Sequence, residues 1–139
     1  MQFCSMKKPL DILLIEDDID DVDLLKDALH ENNVHYKMEV IMEGDKVNGY
    51  LKAVKKLPEI IVMDLNLPKA GGKEILQNIK SSCALTAIPI VVLTTSSSKD
   101  DIEYCTQLGI SKFITKPATI EGWSLTASNI VNVAVGTAV

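Results

Sequence analysis

Five short runs rich in β-branched and aliphatic residues punctuate the chain: "DILLIE" (11–16), "KMEVIM" (37–42), "EIIVMD" (59–64), "IPIVVLTT" (88–95) and "SKFITK" (111–116). Each has the length and composition of a β-strand. Between them, apolar residues recur at helical spacing: Val22, Leu25 and Leu29; Val47, Leu51 and Val54; Ile75 and Ile79; Ile102, Cys105 and Leu108; then Ile120, Trp123, Ala127, Ile130 and Ala134. This alternation predicts one helix after each strand, since a 3.6-residue period lines up one helix face. Strands joined through helices run parallel, and right-handed crossovers lay the helices on both faces of the sheet. The central runs are apolar throughout, as burial on both faces requires. The predicted class is therefore α/β, with a five-stranded parallel sheet doubly wound as (βα)5.

Sheets of this class bind ligands at the carboxyl edge of their strands. The first run delivers Glu16, Asp17 and Asp18 to that edge, the third Asp64, the fourth Thr94 and Thr95, and the fifth Lys116, just before Pro117. An acidic residue after a strand often serves only to cap the next helix, and that is the expectation for Asp18. Taken together the set asks for more. Glu16, Asp17 and Asp64 against Lys116 leave a formal charge of about −2 in one cleft, and crowded carboxylates destabilise one another. A divalent cation would offset that charge. The donors are hard oxygens with no cysteine or histidine among them, which favours Mg²⁺. A metal beside a carboxylate, a hydroxyl and an ammonium is equipment for phosphoryl transfer. In that chemistry Asp64 attacks phosphorus, the Thr94 hydroxyl donates to one phosphoryl oxygen and Lys116 pairs with another, giving an acyl phosphate.

Composition narrows the field. The 139 residues, 47% of them apolar, amount to one domain with an ordinary core. Net charge is −5, and all fourteen basic residues are lysines. Direct nucleic-acid binding normally wants a basic face and favours arginine, so it is not expected. Cys4, Cys83 and Cys105 lie far apart, without the spacing of a zinc site or a redox pair. Reduced thiols and a cytoplasmic location are expected. The start "MQFCSMKKPLD" shows no secretory apolar segment. Residues 122–139 carry no charge, yet Ser, Thr and Asn are scattered through a stretch too short and polar to span a membrane.

The phrases "LLIEDD", "VMDLNLP", "VVLTT" and "FITKP", in that order, resemble the receiver domain of two-component response regulators, the CheY-like family, over residues 9 to about 134. Residues 1–8 and 135–139 then read as terminal tails. Thr94 stands thirty positions and Lys116 fifty-two positions after Asp64, as in that family. The resemblance implies a flavodoxin-like strand order, 2-1-3-4-5. It implies Glu16 and Asp17 as the acidic pair, Asp17 being the direct metal ligand, and Asp64 as phosphoacceptor. It places the Asn66 backbone carbonyl in the metal shell, makes Thr94 the conformational hydroxyl and Lys116 the phosphate-binding lysine, and expects a cis Lys116–Pro117 bond. Pro68 and Gly72 match the loop that shapes the start of the third helix, while Asn66 and Ser96 match positions that tune the lifetime of the phosphoryl group. Phosphorylation would draw Thr94 inward and let Phe113 turn into the vacated space, remodelling the face of helix 4, strand 5 and helix 5. The implied partner is a sensor histidine kinase or a phosphotransfer protein. Such a chain is no turnover enzyme: it catalyses only its own phosphorylation and slow dephosphorylation. With no effector following helix 5, the chain is expected to be a stand-alone receiver. "DLNLPKAGGKEIL" and "VVLTTSSSKDDI" further resemble the single-domain regulators that partner phytochrome-type kinases.

Helix 5 invites a partner of another sort. Ile120, Trp123, Ala127 and Ile130 form its expected sheet-facing stripe, but Leu125 and Val131 to Val135 exceed what one face needs. A homodimer through the helix 4–strand 5–helix 5 face is the simplest arrangement that would cover them. His30 and His35 read as surface residues, and Asp20, Asp21 and Asp23 as a solvated helix start.

Two rival classes fit less well. A phosphatase of the haloacid dehalogenase type places a second aspartate two residues after its nucleophile, where this chain has Asn66, and an acidic metal pair late in the chain, where none follows Glu121. A flavin or nucleotide binder wants a Ser/Thr/Gly-rich phosphate loop after the first strand. That loop is "EDDIDD".

Overall fold

The computed structural model describes residues 8–136; Cys4 and most of the two expected tails lie outside the described residues. Five strands and five helices alternate: β1 (Leu10–Ile15), α1 (Ile19–Glu31), β2 (Tyr36–Ile41), α2 (Val47–Ala53), β3 (Ile60–Met63), α3 (Gly72–Ser81), β4 (Ile90–Thr94), α4 (Lys99–Gln107), β5 (Lys112–Thr115) and α5 (Ile120–Val135). The sheet is parallel throughout, in the order β2-β1-β3-β4-β5. Both the strand runs and the order match expectation.

Because side chains alternate across a strand, each central strand feeds two cores. Leu13, Ile15, Ile61, Met63, Ile90 and Val92 pack beneath α2, α3 and α4. Ile12, Leu14, Ile60, Val62, Val91 and Leu93 pack beneath α1 and α5, against Leu25, Leu29, Trp123 and Ile130. Burying such a side chain stabilises the fold by about 1.5–3 kcal/mol.

Capping sets where the helices begin. The Asp18 carboxylate accepts from the backbone N–H of Asp20 and Asp21, Ser98 Oγ from Asp101, and Thr119 Oγ1 from Gly122. Gly122 also lies against the loop before it: a Cβ there would stand 2.5 Å from Pro117 Cβ. α5 closes on Gly136 at φ 70°, a left-handed conformation that glycine adopts freely.

Four expectations are corrected. Ile120 is 61% exposed: it is the first residue of α5, ahead of the point where Trp123 brings the helix onto α1 and the sheet. Ile102 on α4 is also exposed, since α4 packs shallowly and buries only Cys105 completely. The apolar surplus of α5 is smaller than its sequence suggests, because Val131, Val133 and Ala134 pack partly against the second core and leave Leu125 and Val135 exposed. The Lys116–Pro117 bond is trans, with no cis peptide among the described residues; the two isomers of an X–Pro bond differ by only about 0.5–1 kcal/mol.

Candidate functional site

The parallel ladders run one residue past the strands and thereby set the edge. Glu16 N–H donates to Ile41 O at 3.0 Å, Asp64 N–H to Ile15 O at 3.1 Å, and Lys116 N–H to Thr94 O at 2.8 Å. β1, β3, β4 and β5 so hold the backbones from which the acidic groups and the lysine project. Glu16, Asp64 and Thr94 are buried, 2%, 5% and 0% exposed, while Asp17 and Asn66 face solvent.

Lys116 sits at the centre. Its Nζ donates to Glu16 Oε1 at 2.9 Å, Asp64 Oδ2 at 2.8 Å and Asp21 Oδ2 at 2.7 Å. The other oxygens of the buried pair are held by the backbone: Glu16 Oε2 accepts from Asp18 N at 3.1 Å and Asp64 Oδ1 from Asn66 N at 3.0 Å. Burial pulls the Lys116 ammonium toward neutrality, but its hydrogen bonds to Asp21, Asp64 and Glu16 more than reverse this, and its pKa is raised. Burial pushes the Glu16 carboxyl up to about 7, against the downward pull of Lys116 and the Asp18 N–H.

The remaining sequence-derived residues take their places around this centre. Thr94 Oγ1 accepts from Ser96 N at 3.3 Å. Phe113 is half-buried on β5 and pairs in register with Val92, which shares the Thr94 face of β4. Asp18 is the α1 cap, and Thr95 is exposed. His30 and His35 are exposed, His30 meeting the Tyr36 hydroxyl at 3.2 Å. Asp21, read from sequence as a solvated face, is instead a partner of Lys116. The available signal was its place in the first turn of a helix that starts at the carboxyl edge.

Asp21 makes three carboxylates around one ammonium, Glu16 and Asp64 being the others. Glu16, Asp17 and Asp64 each bring a carboxylate oxygen within 4.8 Å of the others. All are hard donors, two are buried, and their charge exceeds what Lys116 can offset, so the cluster fits a small divalent cation.

Fold and edge together define a doubly wound α/β protein with an acidic, lysine-centred site at the switch-point side of its sheet. The response regulator receiver domain pattern matches residues 12–123, and the chain belongs to that family. The response regulator Rcp1 of Synechocystis sp. is 32% identical over 118 residues, covering 81% of this chain and 80% of Rcp1. The phosphorylated cyanobacterial phytochrome response regulator RcpA superposes with a TM-score of 0.85 at 34% identity, over 95% of this chain and 98% of RcpA. The Mn²⁺-bound form of Rcp1 superposes with a TM-score of 0.83 at 29% identity, over 94% and 98% of the two chains. No helix among the described residues is long and apolar enough to cross a membrane.

Proposed function

We propose that this receiver takes a phosphoryl group from a kinase phosphohistidine, or from a phosphotransfer protein, onto Asp64, and loses it slowly to water. The observation that carries the reading is the Asp64 carboxylate: buried at a strand end, held by Asn66 N, and 2.8 Å from Lys116 Nζ. A carboxylate oxygen of Asp64 forms a bond to phosphorus as the bond to the donor imidazole breaks, and the freed imidazole nitrogen takes up a proton. Lys116 Nζ exchanges a carboxylate partner for a phosphoryl oxygen. The Thr94 hydroxyl, which accepts from Ser96 N, keeps its own proton to donate. Glu16, Asp17 and Asp64, with the Asn66 carbonyl, would hold Mg²⁺, which when bound offsets the charge that gathers on the phosphoryl oxygens. The reaction is the protein's own modification, not turnover of a free substrate.

The same reading assigns residues 9–134 to the receiver, and gives Thr94 and Phe113 as the switch, since they lie on one face of adjacent strands. The exposed Ile102 and Leu125 support a protein partner, a second copy among the candidates, on the α4–β5–α5 side. A cytoplasmic location, and no nucleic-acid target, agree with a charge of −5 carried without arginine.

The test is intact mass after incubation with acetyl phosphate and Mg²⁺. Wild type should gain one phosphoryl mass, about 80 Da, as expected for an acyl phosphate, and Asp64→Asn or EDTA should abolish the gain. An unchanged wild-type mass, with no response to beryllofluoride, would return the cleft to a binding scaffold.

A further inference from the structure

Thr94 is fully buried, and what orients its hydroxyl is Ser96, whose N–H donates to Thr94 Oγ1. Ser96 is anchored in turn, its own Oγ donating to Asp101 Oδ2 in the first turn of α4. Asp101 Oδ1 pairs with Lys73 Nζ at 2.6 Å, across to the first turn of α3. Lys73 lies over the Tyr104 ring, 5.3 Å from its centroid, and the Tyr104 hydroxyl donates to Gln77 Oε1 at 3.0 Å. The backbone from which Asp101 reaches is fixed as well, because its N–H donates to Ser98 Oγ at 3.1 Å. A continuous polar chain therefore runs from the buried threonine at the site to the surface where α3 meets α4.

Lys73 holds the Asp101 carboxyl below its usual range, with Ser96 adding to the effect, and the hydrogen bond to Asp101 raises Lys73 in return. At both ends the bonding favours the charged pair. On its own, a half-exposed pair of this kind contributes little to stability. Its value lies in what it holds still. A donor placed in advance, where charge will develop, spends nothing on reorganisation when the reaction comes.

Resting on the receiver reading above, we infer that Asp101 and Lys73 are positioning residues for phosphoryl transfer. Their ion pair anchors Ser96, and the Ser96 N–H fixes the Thr94 hydroxyl with its proton free for a phosphoryl oxygen. A mere strut between α3 and α4 would affect melting and leave the rate alone.

The experiment follows phosphorylation by acetyl phosphate and Mg²⁺ through intact mass, beside thermal melts and Mg²⁺ titration calorimetry. Asp101→Asn and Lys73→Gln should each slow phosphoryl uptake about three- to tenfold, less than the roughly 10²-fold or more that follows outright loss of such a donor. Mg²⁺ affinity should not change, because Glu16, Asp17 and Asp64 are untouched, and Lys73→Arg should restore the rate. The sharpest arm is Thr94→Val: if Asp101 acts through Thr94, adding Asp101→Asn to Thr94→Val slows uptake no further. Wild-type rates in Asp101→Asn, or full additivity with Thr94→Val, overturn the positioning role alone. A wild type that takes up no phosphoryl group overturns the receiver reading and this role together.

Discussion

Lys116 and Asp21, 95 positions apart in sequence, meet at 2.7 Å. With Glu16 and Asp64 at 2.9 and 2.8 Å, Asp21 completes a ring of carboxylates around one ammonium. Desolvated charges repay their burial only through such pairing, and removing one partner leaves the others uncompensated. Lys116→Met should therefore destabilise the metal-free protein by about 3 kcal/mol at neutral pH, read by urea denaturation in EDTA. Saturating Mg²⁺ should restore most of the loss. Asp21→Asn, which keeps an acceptor but removes one of the three negative charges on the ammonium, should cost about 1 kcal/mol. A Lys116→Met protein as stable as wild type in EDTA would show that the ring contributes nothing net.

Glu16 gives the site a pH dependence whose sign is fixed. Its folded pKa of about 7 lies above the unfolded value of 4.5, so between these values the folded state holds a proton that the unfolded chain has shed. The stability this contributes is complete below pH 4.5 and is lost as pH rises through 7. In EDTA, the melting temperature of wild type relative to Glu16→Gln should fall from pH 5 to pH 8. Over the same window Mg²⁺ affinity should rise, because the proton must leave before the carboxylate can ligate. Parallel profiles for the two proteins would assign the pH dependence to other groups.

Gly72 carries the approach of α3 to the site. Its N–H donates to Leu65 O at 3.0 Å, and a Cβ there would stand 2.4 Å from Leu65 Cα and 2.8 Å from Asp64 O. Backbone cannot give way as a flexible side chain can, so even alanine overpacks the position. Gly72→Ala should cost about 2–3 kcal/mol, and it should weaken Mg²⁺ binding by displacing the Asp64–Asn66 segment. Unaltered metal affinity in a destabilised Gly72→Ala protein would separate the loop's packing from the site.

Leu125 is 64% exposed on a helix that has no charge after Glu121. Analytical ultracentrifugation should show self-association rising with concentration, and Leu125→Glu should shift it toward monomer by about tenfold in the dissociation constant, as expected for a desolvated leucine replaced by a charge. A monomer at all concentrations would leave this face to another protein.

The sheet was legible in the sequence because its central strands are buried on both faces, and such runs leave an unmistakable apolar signature. The edge residues were legible for a related reason: Glu16, Asp64, Thr94 and Lys116 each directly follow or end a strand, so strand position alone brings them together. What escaped was carried by helices. Asp21 reaches the site because the Asp18 cap fixes the first turn of α1, and a charged residue in an acidic run looks like solvated surface until a lysine from the far end of the chain meets it. Asp101 and Lys73 escaped for the same reason, their pairing being a matter of how α3 and α4 lie together. Ile120 and Ile102 show the converse, since periodicity marks a face without saying where along the helix that face leaves the core.

The bare backbone of Gly122 against Pro117 joins two parts of this molecule that a side chain would have kept apart. Lys116 is the next residue back, so the chain segment that carries the ammonium also carries the proline on which α5 begins. A shift of the Lys116–Pro117 backbone would therefore press on the first turn of α5, at the opposite end of the rod from Val135.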